Sequence, residues 1–419
     1  MSHLKPPKKV KFNTQKKNES NKNHPKSKTQ PQSPLIPAVY LLMAGAIVFP
    51  FFISGPLLVV ATIALLIGNR HSLIDLSKSL HDIYFMLLSM IGSALLSQNQ
   101  IGLWMPLAFL LFAWLFSMYR TSIDFKTYMT LLKILLLGSS FPALNSFFRY
   151  FHYLRQEDLS LFTILNQTNS AFRAESTFFN ANYYGLYLVM ILVLSLAVFV
   201  KPTFYKLPRW VSFLVFLLNL GALILTQSRM VYPALLGGWI FYLASKKPKW
   251  GLSLGVIGGA VLLILIINPQ FLPRFGSLAY AFQDRFDIWQ VASQIFLYSP
   301  LMGRGAFSYL NDYYLFSNEV KMHAHQLLID WLANYGLIGF FLTISAIVPF
   351  LRKLSQKPKS QVNLEIWQLI VAMVGTVLIH SLLDVSIVWL QTGFVFLTIC
   401  LYPMSLAYQK EEGDADGLL

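Results

Sequence analysis

The sequence predicts an all-α polytopic membrane protein of about 12 transmembrane helices, with a long extracytoplasmic loop between the ninth and the tenth. Three observations predict it. First, 55% of the 419 residues are hydrophobic and 12% charged, with a mean hydropathy of +0.54, whereas soluble domains carry roughly 25% charged residues. That is about half the charge needed to cover a water-soluble surface, and it excludes a soluble enzyme, a nucleic-acid-binding module and a disordered scaffold. Second, the apolar residues fall in runs of spanning length. Third, Lys and Arg alternate sides from loop to loop.

The elements follow in chain order. Residues 1–34 hold nine Lys and one Glu among Asn, Ser and Pro, too little apolar surface to fold. They read as a retained basic tail on the cytoplasmic side, near anionic lipid. No small-residue cleavage site follows at signal-peptide distance. Then come apolar runs at 35–53, 55–68, 83–97, 101–118, 128–148, 182–200, 209–227, 230–244, 250–267, 327–350, 364–383 and 385–407. At 1.5 Å per residue they suit a hydrocarbon layer of ~30 Å. They show no strand-like alternation, so helices rather than a barrel are expected. Residues 35–408 form the membrane domain, and 409–419 an acidic cytoplasmic tail. The one cysteine, Cys400, sits inside an apolar run and allows no internal disulfide.

Orientation comes from the short loops. With the N-terminus inside, the inner loops hold fourteen Lys and Arg, from Arg70 to Lys359, and the short outer loops only Arg229. Both termini are therefore expected in the cytoplasm. Two long outer segments remain, 149–181 and 268–326. Within the second, DRFDIWQVASQIFLYSP places Ile288, Trp289, Ala292, Ile295 and Phe296 at helical spacing, an amphipathic helix along the outer interface.

This topology gathers polar residues at one boundary. Arg229 ends the seventh run, His325 starts the tenth, His380 and Asp384 end the eleventh, and Arg285 lies in the amphipathic segment. Ionisable residues at membrane depth are functional candidates because their burial is costly. Each has a plainer reading. Arg229 can snorkel to headgroups, Arg285 can meet lipid phosphate, and His325 can be an interfacial helix start. His380 and Asp384, spaced i, i+4, can be a structural hydrogen-bonded pair, the reading favoured here. Gly303 and Gly305 read as turn glycines, and Gly336 and Gly339 as small residues for close helix packing. There is no P-loop, GxGxxG, HExxH or Cys/His metal set.

At these residues the sequence resembles the O-antigen ligase and O-antigen polymerase family of bacterial membrane glycosyltransferases. The resemblance is carried by TQSRMVYPALL, by DRFDIWQVASQIFLYSPLMGRGAFSY and by HAHQLLIDWLANYGLIGF. STFFNANYYGLYL adds a weaker likeness to an Asn-Pro-Asn motif and brings in Asn182. Together the blocks cover roughly residues 175–385. Two positions depart from the pattern: Gln326 stands where the family has Asn, and Asn334 where it often has an acid.

The resemblance implies a GT-C-like fold in the bacterial inner membrane, with the active site facing the periplasm. It implies transfer of a glycan from a polyprenyl (undecaprenyl) diphosphate carrier to an acceptor hydroxyl, as in lipopolysaccharide biosynthesis, inverting and metal-independent. Arg229 and Arg285 are then expected to bind the diphosphate, being always charged and able to grip phosphate oxygens bidentately. His325 is expected as general base, with Asp384, His380, Gln326 and Asn182 in support. Expected partners are a lipid-linked oligosaccharide or polysaccharide donor, a glycolipid or other hydroxyl acceptor, and membrane lipids. No nucleic acid, cofactor or metal is expected. The alternatives are an O-antigen polymerase with the same chemistry and a small-solute, bicarbonate-type transporter, against which the one-sided gathering of ionisable residues argues.

Overall fold

A backbone in lipid must close its own hydrogen bonds, and every regular element among the described residues is a helix. The computed structural model describes residues 35–70, 80–161, 172–268, 278–317 and 321–402, the side chains of residues 266 and 278 excepted. The basic tail 1–34 and the acidic tail 409–419 lie outside them.

The first five apolar runs fall on six helices, α1 (Leu35–Ala46), α2 (Phe51–Gly68), α3 (His81–Leu96), α4 (Trp104–Ser122), α5 (Phe125–Gly138) and α6 (Ser140–Gln156), the run 128–148 being divided at Ser139 and continued to Gln156. After the first long loop come α7 (Ala181–Val200), the single turn α8 (Pro202–Tyr205), α9 (Arg209–Leu225), α10 (Val231–Lys246) and α11 (Pro248–Ile267). The second long loop holds α12 (Leu278–Tyr298) and α13 (Ser308–Asp312), and α14 (Leu327–Leu354), α15 (Gln361–His380) and α16 (Leu390–Cys400) complete the chain. Among the described residues, seven stretches are long and apolar enough to cross a bilayer: Phe51–Gly68, Ile101–Ser122, Phe125–Gln156, Ala181–Val200, Pro248–Leu265, Leu327–Leu354 and Gln361–His380. Four further apolar helices are shorter. The fold is therefore all-α and multi-pass, while the expected count of twelve spans is not confirmed on length and composition among the described residues.

Helix α7 is apolar on every side and buried along almost its whole length, the pattern of a central helix. It packs against α9, α10, α15, α16 and α5. Helices α10 and α15 approach closely through Gly237 and Gly238, where any Cβ would collide with Ile379 and Thr376. At the start of α15 the buried Glu365 receives Lys246 at 2.7 Å and Lys201 at 3.1 Å. This pins one end of the helix, and the candidate site occupies the other.

In α12, Ile288, Ala292 and Ile295 are buried while Asp284, Asp287, Gln290 and Ser293 are exposed. The one-sided face expected from the sequence is thus buried on protein, against α14 and the α13 turn. Helix α14 is interrupted at Gly336, whose φ of 62° and ψ of −167° only glycine adopts readily. The loop 299–305 mends the break. Leu337 and Ile338 donate to the carbonyls of Pro300 and Leu301 (2.9 and 3.0 Å), and Arg304 donates to the Asn334 carbonyl at 2.9 Å. Gly336 is thus a backbone break filled by a loop, not merely the helix-packing residue its spacing suggested. Gly303 and Gly305 have left-handed backbones, as turn glycines should.

Candidate active site

The geometry is built on the end of α15. His380 is its last helical residue, and the chain then turns through Ser381–Asp384 into a short 3₁₀ turn, Ser386–Val388. The Leu327 amide, at the start of α14, donates to the Ser381 carbonyl at 3.0 Å, so the beginning of one helix is tied to the end of the next.

Asp384 is the hub. It is 1% exposed, and burying a carboxylate costs several kcal/mol unless partners replace water. Asn182, in the first turn of α7, donates through Nδ2 to Asp384 Oδ2 at 2.7 Å, and the Ser386 hydroxyl donates to Oδ1. His325 Nδ1 stands 3.5 Å from Oδ2, close enough for electrostatic coupling and longer than a strong hydrogen bond. Burial opposes ionisation of Asp384, but the His325 contact and the flanking His380 and His323 outweigh it. They hold the carboxyl well below the usual carboxylate range.

His325 is held in a pinned turn. Its φ of 52° is left-handed, an uncommon conformation that histidine tolerates better than most residues. Its amide donates to His323 Nδ1 at 3.3 Å, and the preceding Ala324 amide donates to the buried Asp330 Oδ1 at 2.8 Å. Asn334 Nδ2 donates to the other Asp330 oxygen at 2.9 Å. A carboxylate on α14 therefore does fix the turn that carries His325, one helical turn before the position where the family pattern puts an acid. The His323 ring meets the His325 ring edge to face, with centroids 4.2 Å apart. Burial, reinforced by His325, lowers the His323 imidazole to about 4, so it is neutral at physiological pH and its Nδ1 can accept.

Arg285 reaches in from α12. Its Nη1 donates to the Leu383 carbonyl at 2.5 Å and lies 3.4 Å from the His325 carbonyl. One guanidinium nitrogen thus clasps both the Asp384 loop and the His325 turn. Among the described residues, Nε and Nη2 make no hydrogen bond, which leaves a two-donor edge for oxyanions. Burial pulls the guanidinium below its ordinary value, with Asp384 and Asp284 opposing. An arginine so placed remains charged at any physiological pH.

The fourth side of the site comes from the turn between α9 and α10. Ser228 Oγ donates to Asn182 Oδ1 at 2.9 Å, and Arg173 Nη2 donates to the same oxygen at 2.9 Å. Arg229 directly follows Ser228 and is half-buried.

The structure thus links Asn182, Arg285, His325 and Asp384 directly and carries Arg229 on the adjoining turn. It does not join His380 to Asp384. The helix ends at His380, the i, i+4 relation is lost, and both buried ring nitrogens of His380 lack a hydrogen-bond partner among the described residues. The favoured structural pair is therefore corrected. Gln326 works as the N-cap of α14, its Oε1 accepting from the Ile329 amide at 2.6 Å. Sequence reasoning passed over Arg173, Ser228, Ser386, His323 and Asp330. Only Asp330 carried a local signal, an acid in the first turn of a helix.

Residues 214–344 match the family model described as O-antigen ligase. The match supports the resemblance drawn from the motifs, and with it a membrane glycan-ligase role. It includes Arg229, Arg285, His325 and Gln326, while Asn182, His380 and Asp384 lie outside it. No curated protein matches the chain.

Proposed function

We propose that this multi-pass membrane protein transfers a glycan from a polyprenyl diphosphate carrier to an acceptor hydroxyl, at the outer face of a bacterial inner membrane. The observation that carries the reading is the approach of His325 to Asp384 beside a donor edge of Arg285 that meets no described residue. The outer placement rests on the Lys and Arg of the short loops, which put the α15–α16 turn opposite the basic inner loops.

With a carboxylate at 3.5 Å from Nδ1, the favoured neutral tautomer carries its proton on Nδ1 and leaves the Nε2 lone pair for substrate. In the proposed step Nε2 takes the proton of the acceptor hydroxyl while its oxygen attacks the anomeric carbon from the face opposite the diphosphate. The anomeric C–O bond to the diphosphate breaks, and its electron pair leaves on the diphosphate oxygen. Configuration inverts, and the proton rests on the imidazolium that Asp384 stabilises. Apo contacts of this kind are often long and tighten with substrate bound.

Charge grows on the leaving oxygen, so donors aimed there act in the transition state. Arg285 offers Nε and Nη2, and Arg229 brings a second guanidinium on the Ser228 turn. No step in this scheme calls for a divalent ion, and a chelator should leave the rate unchanged.

The test is transfer in nanodiscs from a defined polyprenyl diphosphate glycan, with a core glycolipid or a second glycan as acceptor. Linkage formation with inverted anomeric configuration is expected. Extension of the donor glycan alone identifies the polymerase variant of the same chemistry. Solute flux with no donor binding overturns the proposal in favour of a transporter.

A further inference from the structure

We infer that Arg173, from the loop before α7, is a positioning residue that sets the working orientation of the Asp384–His325 pair through the Asn182 amide. An asparagine amide is nearly symmetric in shape but not in chemistry: one end donates and the other accepts. Only with Nδ2 toward Asp384 does Asn182 stabilise the carboxylate; turned over, it would set a carbonyl oxygen against it.

Three contacts choose the orientation. Arg173 Nη2 and Ser228 Oγ both donate to Asn182 Oδ1, each at 2.9 Å, and two donors can be satisfied there only by the oxygen. That leaves Nδ2 facing Asp384 Oδ2 at 2.7 Å. Arg173 is itself braced by its Nε, which donates to the Thr226 carbonyl at 3.3 Å. Its neighbour Ala174 donates its amide to the Leu225 carbonyl at 2.9 Å. The loop is thereby fastened to the end of α9, beside the Ser228–Arg229 turn. The outcome is a relay of four side chains, Arg173, Asn182, Asp384 and His325. It draws on the first long loop, α7, the loop after α15 and the turn before α14. The first long loop is thus part of the site.

The kinetic consequence rests on the glycan-transfer reading; the chemical consequence does not. For the second, the full-length protein in nanodiscs is treated with diethyl pyrocarbonate, and modification of His325 is followed by mass spectrometry against the exposed His81 as reference. Arg173→Gln and Asn182→Ala should each change the His325 rate several-fold in the same direction. The double variant should do no more than the larger single change, His81 should be unaffected, and Arg173→Lys should stay near wild type. A His325 rate untouched by Arg173→Gln, or single effects that multiply in the double variant, overturns the inference. If Arg173→Gln does not accumulate, Ser228→Ala removes the second donor to the same oxygen. It must then move His325 in the same direction, and no movement overturns the inference.

For the first, Arg173→Gln should lower kcat roughly tenfold or more with little change in KM for the lipid-linked donor. Full turnover in that variant of an active protein refutes the positioning role and leaves the transfer reading intact. A wild-type protein that transfers nothing, with the His325 rates still non-additive, does the reverse.

Discussion

Asn182 Nδ2 donates to Asp384 Oδ2 at 2.7 Å across 202 positions of sequence, joining the first turn of the central helix to the loop that follows α15. Both residues lie outside the region matched by the O-antigen ligase family model, yet their contact places the carboxylate beside His325. Their exchange gives the first prediction. Asn182→Asp replaces the donor to Asp384 with a second carboxylate and should lower stability, with Arg173, 2.9 Å from the same oxygen, offsetting part of the repulsion. Adding Asp384→Asn restores one donor and one acceptor, and should recover most of the melting temperature in detergent. It should not recover transfer, because His325 then lacks its carboxylate. Recovery of both would show that only packing matters at this pair.

Arg285 offers a sharper chemical test. Its Nη1 ties two backbone carbonyls, while Nε and Nη2 face no described partner. Arg285→Ala should lower kcat by about 10²–10³, the scale of one lost transition-state donor. Arg285→Lys should rescue little, since an ammonium cannot clasp a carbonyl and present a planar edge together. Parallel assays of kcat and donor KM check both expectations.

Acid should destabilise the fold through His323, and the sign follows from linkage. The unfolded imidazole binds a proton near its ordinary value of about 6.5, whereas the folded one resists until about 4. Between those values the unfolded state holds more protons, so stability falls as pH drops through that window. His323→Gln removes the effect, and its melting temperature should fall less than that of wild type between pH 7 and pH 5. An equal fall in both would place the acid sensitivity elsewhere.

The break in α14 predicts a stability effect away from the chemistry. A Cβ at Gly336 would lie 2.5 Å from the Leu301 carbonyl carbon and 2.6 Å from the Gly303 nitrogen, at a φ of +62°. Both are backbone atoms that cannot swing aside. Gly336→Ala should cost roughly 1–3 kcal/mol from backbone strain alone, with more from the collision, read as a lower unfolding midpoint. Gly259→Ala meets open space and should leave that midpoint near wild type.

Much of the architecture was legible because the bilayer imposes a length and a polarity on each segment. The run 182–200 became α7 (Ala181–Val200), and 364–383 became α15 with its end shortened to His380. That shortening is why the His380 and Asp384 spacing misled: helical periodicity says nothing once the helix has stopped. The inward stripe of α12 was readable from Ile288, Ala292 and Ile295, but periodicity could not say that the stripe meets α14 rather than lipid. Arg285 and His325 were readable as charged groups at a common boundary. Arg173 was not. Its role depends on a shared acceptor, Asn182 Oδ1, and on Ser228, 46 residues further along the chain from that acceptor. The role of Asp330 was not legible either: the family pattern marks the position of Asn334, and only the fold joins the two side chains in one hydrogen-bonded pair.

The proposed chemistry centres on His325 as a base held by Asp384. The most direct measurement is single-turnover transfer from a polyprenyl diphosphate glycan in nanodiscs, comparing wild type with His325→Ala and Asp384→Asn at saturating donor. His325→Ala should show no measurable transfer despite normal donor binding, and Asp384→Asn a strongly reduced rate. Wild-type rates in His325→Ala would contradict this role.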